Sequence, residues 1–283
     1  LGLLLFFGIP VLIAFATSTV EWNALRPPEF VGLDNFTRLF QDPKFWQALR
    51  NTLFLLLITV PLEVVLSLGV ALLLNQKFGS KGLRNLFRTA YFLPVVTSTV
   101  AASIVWTWIF QPSYGLLAGL VAPLGLGWEE TKWLTRPDLI LIPVAAVTIW
   151  QRIGFDMVLF LAGLQNIPRV FYEAATIDGA NTRQLFRHVT FPMLSSTTFL
   201  VVVLSTINSF QIFDQVYVMT SRTVRGGVGG SATTLTYFLY DSGFGRSQFG
   251  YASAVALVLF VIILAFTIIQ LRLQRRWVYY ESD

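Results

Sequence analysis

Three groups of residues in this 283-residue chain have types and spacings that could do chemistry. The first is a polar island, YEAATIDGANTRQLFRHVTFP, from Tyr172 to Pro192. It mixes small residues (Ala174, Ala175, Gly179, Ala180), charges (Glu173, Asp178, Arg183, Arg187) and the only histidine, His188. Small residues let another backbone approach closely, and Leu185 and Phe186 offer apolar anchors, so the chemistry on offer is noncovalent docking. The second group is Gln151, Arg152 and Asp156. The third is Asn208, Gln211, Asp214 and Gln215, with Phe210, Phe213 and Tyr217 as aromatic surface. Amide side chains both donate and accept, which suits sugar hydroxyls. Asn208, Gln211 and Gln215 are spaced i, i+3, i+7 and share one face of an unbroken helix. They either line a solute path or hold helices together. Arg152 and Asp156, spaced i, i+4, either neutralise each other or contact solute. Glu63, near Pro61, reads as a local hydrogen-bond acceptor.

Bond-making chemistry finds little support. Cysteine is absent, which excludes disulfides, thiolate metal sites and cysteine nucleophiles. A single histidine argues against a histidine metal cluster or a Ser-His-Asp triad. The Gly-rich TSRTVRGGVGGSATT has no Gly-Lys-Ser/Thr after it and is not a P-loop. No ATP-binding signature is visible, so no catalytic residue, metal or cofactor is expected on this chain.

The elements that must position these residues are set by lipid. The chain is 55% hydrophobic and 12% charged, about half the charged fraction of a soluble domain, and its mean hydropathy is +0.66. Roughly 20 apolar residues in a helix cross the hydrocarbon core. Six stretches qualify, at about 1–20, 52–74, 89–110, 139–164, 193–219 and 251–271. Backbone groups in lipid must be satisfied internally, so these are helices. Barrel strands would be shorter and half polar. The expected fold is an all-α polytopic membrane protein, one transmembrane domain over residues 1–283. No tandem repeat is visible. Leu1 already lies inside an apolar run, which leaves room for a start upstream, and no basic region of a signal peptide is seen.

Lys and Arg orient the crossings. Alternation places Lys77, Lys81, Arg84, Arg88, Arg169, Arg183, Arg187, Arg272, Arg275 and Arg276 on one side. Arg26, Arg38, Lys44, Arg50, Lys132, Arg136, Arg222, Arg225 and Arg246 fall on the other. The counts nearly balance. Density near helix ends decides: NQKFGSKGLRNLFR and RLQRR are short, basic and free of acids, which makes the island at 165–192 cytoplasmic. The net charge of +5 is read as this bias, not as nucleic-acid binding. On the outer side, GLDNFTRLFQDPKFWQALRN reads as two short interfacial helices, with Asp34 capping the first and Asp42 the second ahead of Pro43.

Within the island, Pro168 suits the first turn of a helix carrying Val170, Tyr172, Glu173, Ala174 and Ala175. Gly179 can take the left-handed conformation that ends it. Asn181 or Thr182 then caps a second short helix with Leu185, Phe186 and Val189 on one face, and Pro192 starts the next span. Such a hairpin either touches only lipid and its own bundle or presents a docking surface.

EAATIDGA, with Phe186, Val189 and Pro192 in register, resembles the EAA loop of ATP-binding-cassette (ABC) importer permeases. The segments FVGLDNFTRLFQDPKFWQALRNTL, RTAYFLPVVTSTVAASIVWTWIF, FLAGLQNIP, FDQVYVMT and FGYASAVALVLFVIIL look like the carbohydrate-uptake branch, related to maltose-transporter permeases. SFQIFDQVYVMT and RLQRRW resemble the first of the two permeases such systems use. The resemblance covers nearly the whole chain and implies a type I importer permease (MetI-like) fold. It implies that Glu173, Ala174, Ala175, Asp178, Gly179, Leu185 and Phe186 form a coupling helix region that docks on a separate ATPase. It also implies a second, homologous permease, two ATPase subunits that bind ATP and Mg, an extracytoplasmic solute-binding protein, and a prokaryotic inner membrane. The cargo would be a sugar, oligosaccharide, polyol or glycoside, and the solute path would use Gln151, Asp156, Asn208, Gln211, Asp214, Gln215 and Tyr217. Two departures bear on the solute, not the class: Gly227-Val228-Gly229 where relatives often show Gly-Gly-Pro, and Asp156 where they often have Asn.

Two other classes compete. An ion-coupled secondary transporter would favour carboxylates at depth and an inverted repeat; acids at depth are few and no repeat is visible. An intramembrane enzyme would need clustered acid, base or metal ligands, and His188 lies in a surface loop.

Overall fold

The computed structural model describes residues 2, 4–23, 25–76, 80–112, 114–124, 131–221 and 223–277. Leu1, Lys77 and Arg222, and the side chains of Arg276 and Trp277, lie outside the described residues.

In chain order the helices are α1 (Ile9–Ser18), α2 (Asp34–Gln41), α3 (Pro43–Asn75), α4 (Lys81–Val96), α5 (Thr99–Ile109), α6 (Leu116–Val121), α7 (Leu141–Asn166), α8 (Arg169–Ile177), α9 (Thr182–Leu185), α10 (Phe191–Met193), α11 (Ser195–Phe210), α12 (Asp214–Thr220), α13 (Leu235–Tyr240) and α14 (Phe249–Trp277). Between α1 and α2, β1 (Val20–Glu21) and β2 (Glu29–Phe30) pair antiparallel, Val20 opposite Phe30. Among the described residues, α3, α7 and α14 are each long and apolar enough to cross a membrane, and α4 with α5 and α9–α11 would add two interrupted spans. The shorter apolar α1 lies within the first expected span, so the pattern is consistent with six crossings.

The chain forms two compact units. The first comprises Leu1–Leu56, Thr99–Val147 and Asn208–Phe266; the second comprises Leu57–Ser98, Thr148–Ile207 and Thr267–Asp283. In the first, α5 packs on α12. The start of α14 lies so close to β1 that a Cβ on Gly250 would overlap the Val20 carbonyl. In the second, Ala71, Leu74, Met157, Phe160, Leu164, Leu194 and Val201 form a buried apolar core. There Gly154 of α7 sits directly on the Tyr91 carbonyl of α4, where any Cβ would overlap it.

Several expected boundaries move. Asp34 is the first helical residue of α2, with Leu33 as N-cap, so it does not cap. Asp42 does accept from the Lys44 N–H at 2.9 Å. The helix that begins at Pro43 does not stop at the membrane surface, however; it continues to Asn75. Asn51 does not compete with its own helix because its amide donates to the carbonyls of Gly230 (3.1 Å) and Thr233 (2.9 Å). Pro168 precedes α8 as its N-cap. Pro192 lies within α10, and α11 starts only after a break at Leu194.

The fifth expected span is broken at 211–213, where Phe213 has φ −135° and ψ −59°. The break frees carbonyls that lipid cannot satisfy. Thr236 donates to the Phe210 carbonyl at 2.9 Å and Thr234 to the Ile212 carbonyl at 2.7 Å. Replacing both threonines by Val orphans two acceptors while preserving shape. A loss of about 1–3 kcal/mol per acceptor is expected, read as a lower thermal midpoint of the purified complex; an unchanged midpoint would show that the hydroxyls do not hold the break.

Candidate functional site

The polar island lies within the second unit and is ordered by its own chain. α8 contains no buried residue. Its end is closed by the Gly179 N–H on the Thr176 carbonyl (3.0 Å) and the Ala180 N–H on the Ala175 carbonyl (2.9 Å). Gly179 has φ +81°, the left-handed geometry that glycine adopts without strain. Asn181 is the cap of α9, and it forms a reciprocal box: its side chain accepts from the Gln184 N–H at 3.0 Å, and its own N–H donates to Gln184 Oε1 at 2.8 Å. A π turn, Phe186–Thr190, follows. The two limbs are tied by the Tyr172 and Thr190 hydroxyls, 3.0 Å apart. His188 Nδ1 lies 3.1 Å from the Gln184 carbonyl, a local contact.

This scaffold leaves Glu173, Ala174, Asp178, Gly179 and Phe186 exposed and Ala175 and Leu185 half-buried. Phe186 is 37% exposed, its ring 6.3 Å from Phe191. Sequence reasoning placed Val170, 61% exposed, on this helix but missed Ile177, which is 86% exposed. Their signal was present: each is an apolar residue beside a charge, Val170 next to Arg169 and Ile177 next to Asp178, on a helix with no buried residue.

The polar residues expected at depth separate. In the second unit, Arg152 and Asp156 pair, Nε to Oδ1 at 3.4 Å, too long for a good hydrogen bond. Asp156 is fully buried and its other oxygen accepts from Ser205 at 3.3 Å. The Glu63 carboxyl, 1% exposed, lies beside Ser205, Asp156 and Arg152. Asp156 is thus engaged by protein groups, and Glu63 belongs to this interhelical cluster instead of being a local acceptor. Gln151 donates to the Thr97 carbonyl at the limiting distance of 3.5 Å.

In the first unit, the break at 211–213 removes the shared face expected for Asn208, Gln211 and Gln215. Asn208 and Gln211 are exposed, at the end of α11 and within the break, whereas Gln215 is buried on α12. Asp214 occupies the first turn of α12, where a carboxylate faces unpaired N–H groups. Phe210 is fully buried against Phe266, ring centroids 5.1 Å apart, and offers no path surface. Tyr217 is half-buried in an aromatic patch: it joins Phe213 (5.5 Å) and Tyr240 (5.5 Å), and Phe213 and Tyr240 stand 4.9 Å apart. Tyr240 and Tyr237 were not singled out from sequence because α13 is remote in the chain. The assembled patch suits stacking against a sugar face with hydroxyls beside it.

Among the described residues no group of His, Cys, Asp and Glu could hold a metal ion. The sequence matches the family described as "Binding-protein-dependent transport system inner membrane component" over residues 63–279. It is 36% identical over 275 residues to the arabinooligosaccharides transport system permease protein AraP of Bacillus subtilis (strain 168), covering 96% of this chain and 85% of that one. It is 38% identical over 242 residues to the lactose transport system permease protein LacF of Rhizobium radiobacter, covering 84% and 79%. The solved structure of a bacterial ABC transporter involved in the import of the acidic polysaccharide alginate has a chain that superimposes with a TM-score of 0.80 at 24% identity, covering 97% and 91%. At that identity the likeness concerns the fold.

Proposed function

This chain belongs to the family of binding-protein-dependent transport system inner membrane components, and from that premise we propose how it works as the permease subunit of an ABC importer of sugars or oligosaccharides. It is a multi-pass membrane protein and leaves ATP hydrolysis to other subunits. The loop Tyr172–Pro192 docks on an ATPase subunit through Glu173, Ala174, Ala175, Asp178, Gly179, Leu185 and Phe186. A second, homologous permease and two ATPase subunits complete the assembly in a prokaryotic inner membrane. A solute-binding protein delivers cargo on the outer side. ATP and Mg sit on the ATPases, and this chain binds no cofactor. Closure of the ATPases moves the loop and opens the bundle inward.

The observation that carries this reading is the island itself: a pre-ordered hairpin whose apolar side chains Ile177 and Phe186 face outward instead of into the chain's own core. For the solute path we favour Asn208, Gln211, Asp214 and Gln215 around the broken helix, the Tyr217 aromatic patch, and Gln151. Asp156 acts there through Arg152 and Ser205. The engaged polar groups are mostly neutral, which suits neutral saccharides such as those named for the relatives.

The test is ATP hydrolysis by the complete reconstituted complex, with its binding protein, across arabinooligosaccharides, lactose, maltose and trehalose. At least one saccharide is expected to stimulate hydrolysis and to accumulate in vesicles only with ATP. Uptake driven by an ion gradient without ATP would overturn the proposal. In the same assay Tyr217→Ala and Gln211→Ala are expected to raise the half-saturating solute concentration about tenfold, as losing a stacking or hydrogen-bonding group does.

A further inference from the structure

A second site lies in the first unit, in the segment after α12. Here a cavity of about 370 Å3 is bounded by Lys44 at the start of α3, by Arg225, and by the Gly-rich turn Gly226–Gly230. The turn is rigid. Gly226, Gly227, Gly229 and Gly230 all have φ between +63° and +80°. The Gly226 N–H donates to Thr220 Oγ1 at 3.0 Å, Gln47 donates to the Gly229 carbonyl at 2.8 Å, and Asn51 holds the Gly230 carbonyl. The wall is therefore formed before any ligand arrives.

The charges on this wall are unbalanced. Arg246 is paired with Asp241 at 2.6 Å. Lys44 and Arg225 also line the cavity, and among the described residues neither has a carboxylate partner. Of the neutral groups, the Gln47 amide nitrogen is taken by Gly229 and the Thr233 hydroxyl by the Gly226 carbonyl at 3.2 Å, which leaves the Tyr237 phenol and the Gln47 amide oxygen beside the cations. A saccharide needs neutral donors and acceptors for its hydroxyls. This cavity sets two free cations beside them, so it selects for negative charge. Its size accepts the tip of a protein loop, and the alternation of apolar runs in the sequence assigns Lys44 and Arg225 to the extracytoplasmic side.

We propose that this cleft receives a carboxylate side chain of the solute-binding protein, held between Lys44 and Arg225 against the Gly-rich turn. The inference rests on the importer reading above. Charges of this kind at the rim of an interface set encounter rate and register and respond to salt. Lys44 supplies a compact charge and Arg225 a planar fork that can grip both carboxylate oxygens.

The experiment uses the complete complex in lipid nanodiscs with its solute-loaded binding protein. In the double variant Lys44→Gln/Arg225→Gln, the binding-protein concentration for half-maximal ATPase stimulation is expected to rise about tenfold. The increase seen for the wild type between about 50 and 300 mM salt is expected to flatten. Lys132→Gln, outside the cleft, is expected to change neither. A carbodiimide is expected to join the Lys44 amine to a binding-protein carboxylate. Lys44→Arg, which keeps the charge but cannot form that amide, is expected to retain stimulation and lose the adduct. A double variant that assembles and shows wild-type half-saturation with unchanged salt dependence would overturn the cleft while leaving the importer intact. An adduct of Lys44 with lipid or solute would do the same. Absence of any stimulation of the wild type by a binding protein would overturn both.

Discussion

Phe186→Asp is expected to separate the permease from its motor, lowering ATPase copurification and solute-stimulated ATP hydrolysis by at least about thirtyfold. An aromatic anchor in a docked interface contributes about 2 kcal/mol or more, and a buried unpaired carboxylate in its place adds a desolvation penalty. The side chain is already 37% exposed in the isolated chain, so the substitution has little fold to lose. The local backbone is held from elsewhere, by the Asn181–Gln184 box and the Tyr172–Thr190 hydroxyl contact. Membrane insertion should therefore survive. Ile177→Asp on the neighbouring limb is expected to act in the same direction, and Ile177→Leu to be tolerated. If the Phe186→Asp complex still holds its ATPases and hydrolyses ATP at the wild-type rate, the docking role assigned to the loop is wrong.

Arg152→Ala is expected to be the most damaging substitution inside the second unit. Arg152 faces Asp156, which is fully buried, and the buried Glu63 carboxyl lies beside them, while the Ser205 hydroxyl donates to Asp156. Removing the cation leaves two buried acids facing one donor. Breaking a buried pair in this way costs about 3–5 kcal/mol. The reciprocal change, Asp156→Asn, should cost less: Arg152 retains 20% side-chain exposure, and its guanidinium lies 4.9 Å from the Phe155 ring centre, a cation–π contact. Replacing both by apolar residues, Arg152→Met with Asp156→Leu, should recover much of the loss, because an apolar pair can substitute for a buried ion pair. The measurement is the thermal midpoint of the detergent-solubilised complex by size-exclusion chromatography. Equal midpoints for wild type and Arg152→Ala would remove the ion pair from the list of stabilising contacts.

What could be read from sequence depended on how local its cause was. Gly179 ends its helix through its own φ, and Asn181 caps the next helix through a residue three positions on; both are visible in a short window. The apolar runs were equally legible because lipid demands continuous helix. The break at 211–213 was not, because its carbonyls are satisfied by Thr234 and Thr236, more than twenty residues away. With that break went the one-face argument for Asn208, Gln211 and Gln215. The continuation of the second interfacial helix past Asn51 was hidden for the same reason: the Asn51 amide serves Gly230 and Thr233. The EAATIDGA register marked the exposed hairpin that we propose docks, whereas the Phe213–Tyr217–Tyr240 patch exists only after folding brings α12 and α13 together.

The reciprocal bonds between Asn181 and Gln184 have a kinetic meaning. A segment already wound when its neighbour arrives forfeits little chain entropy on association. Encounter then approaches a collision of finished shapes, and helix-promoting cosolvents should leave its rate unaltered. The same stiffness acts during the power stroke: a displacement of a few ångströms at Phe186 reaches the bilayer without first being absorbed in coiling slack.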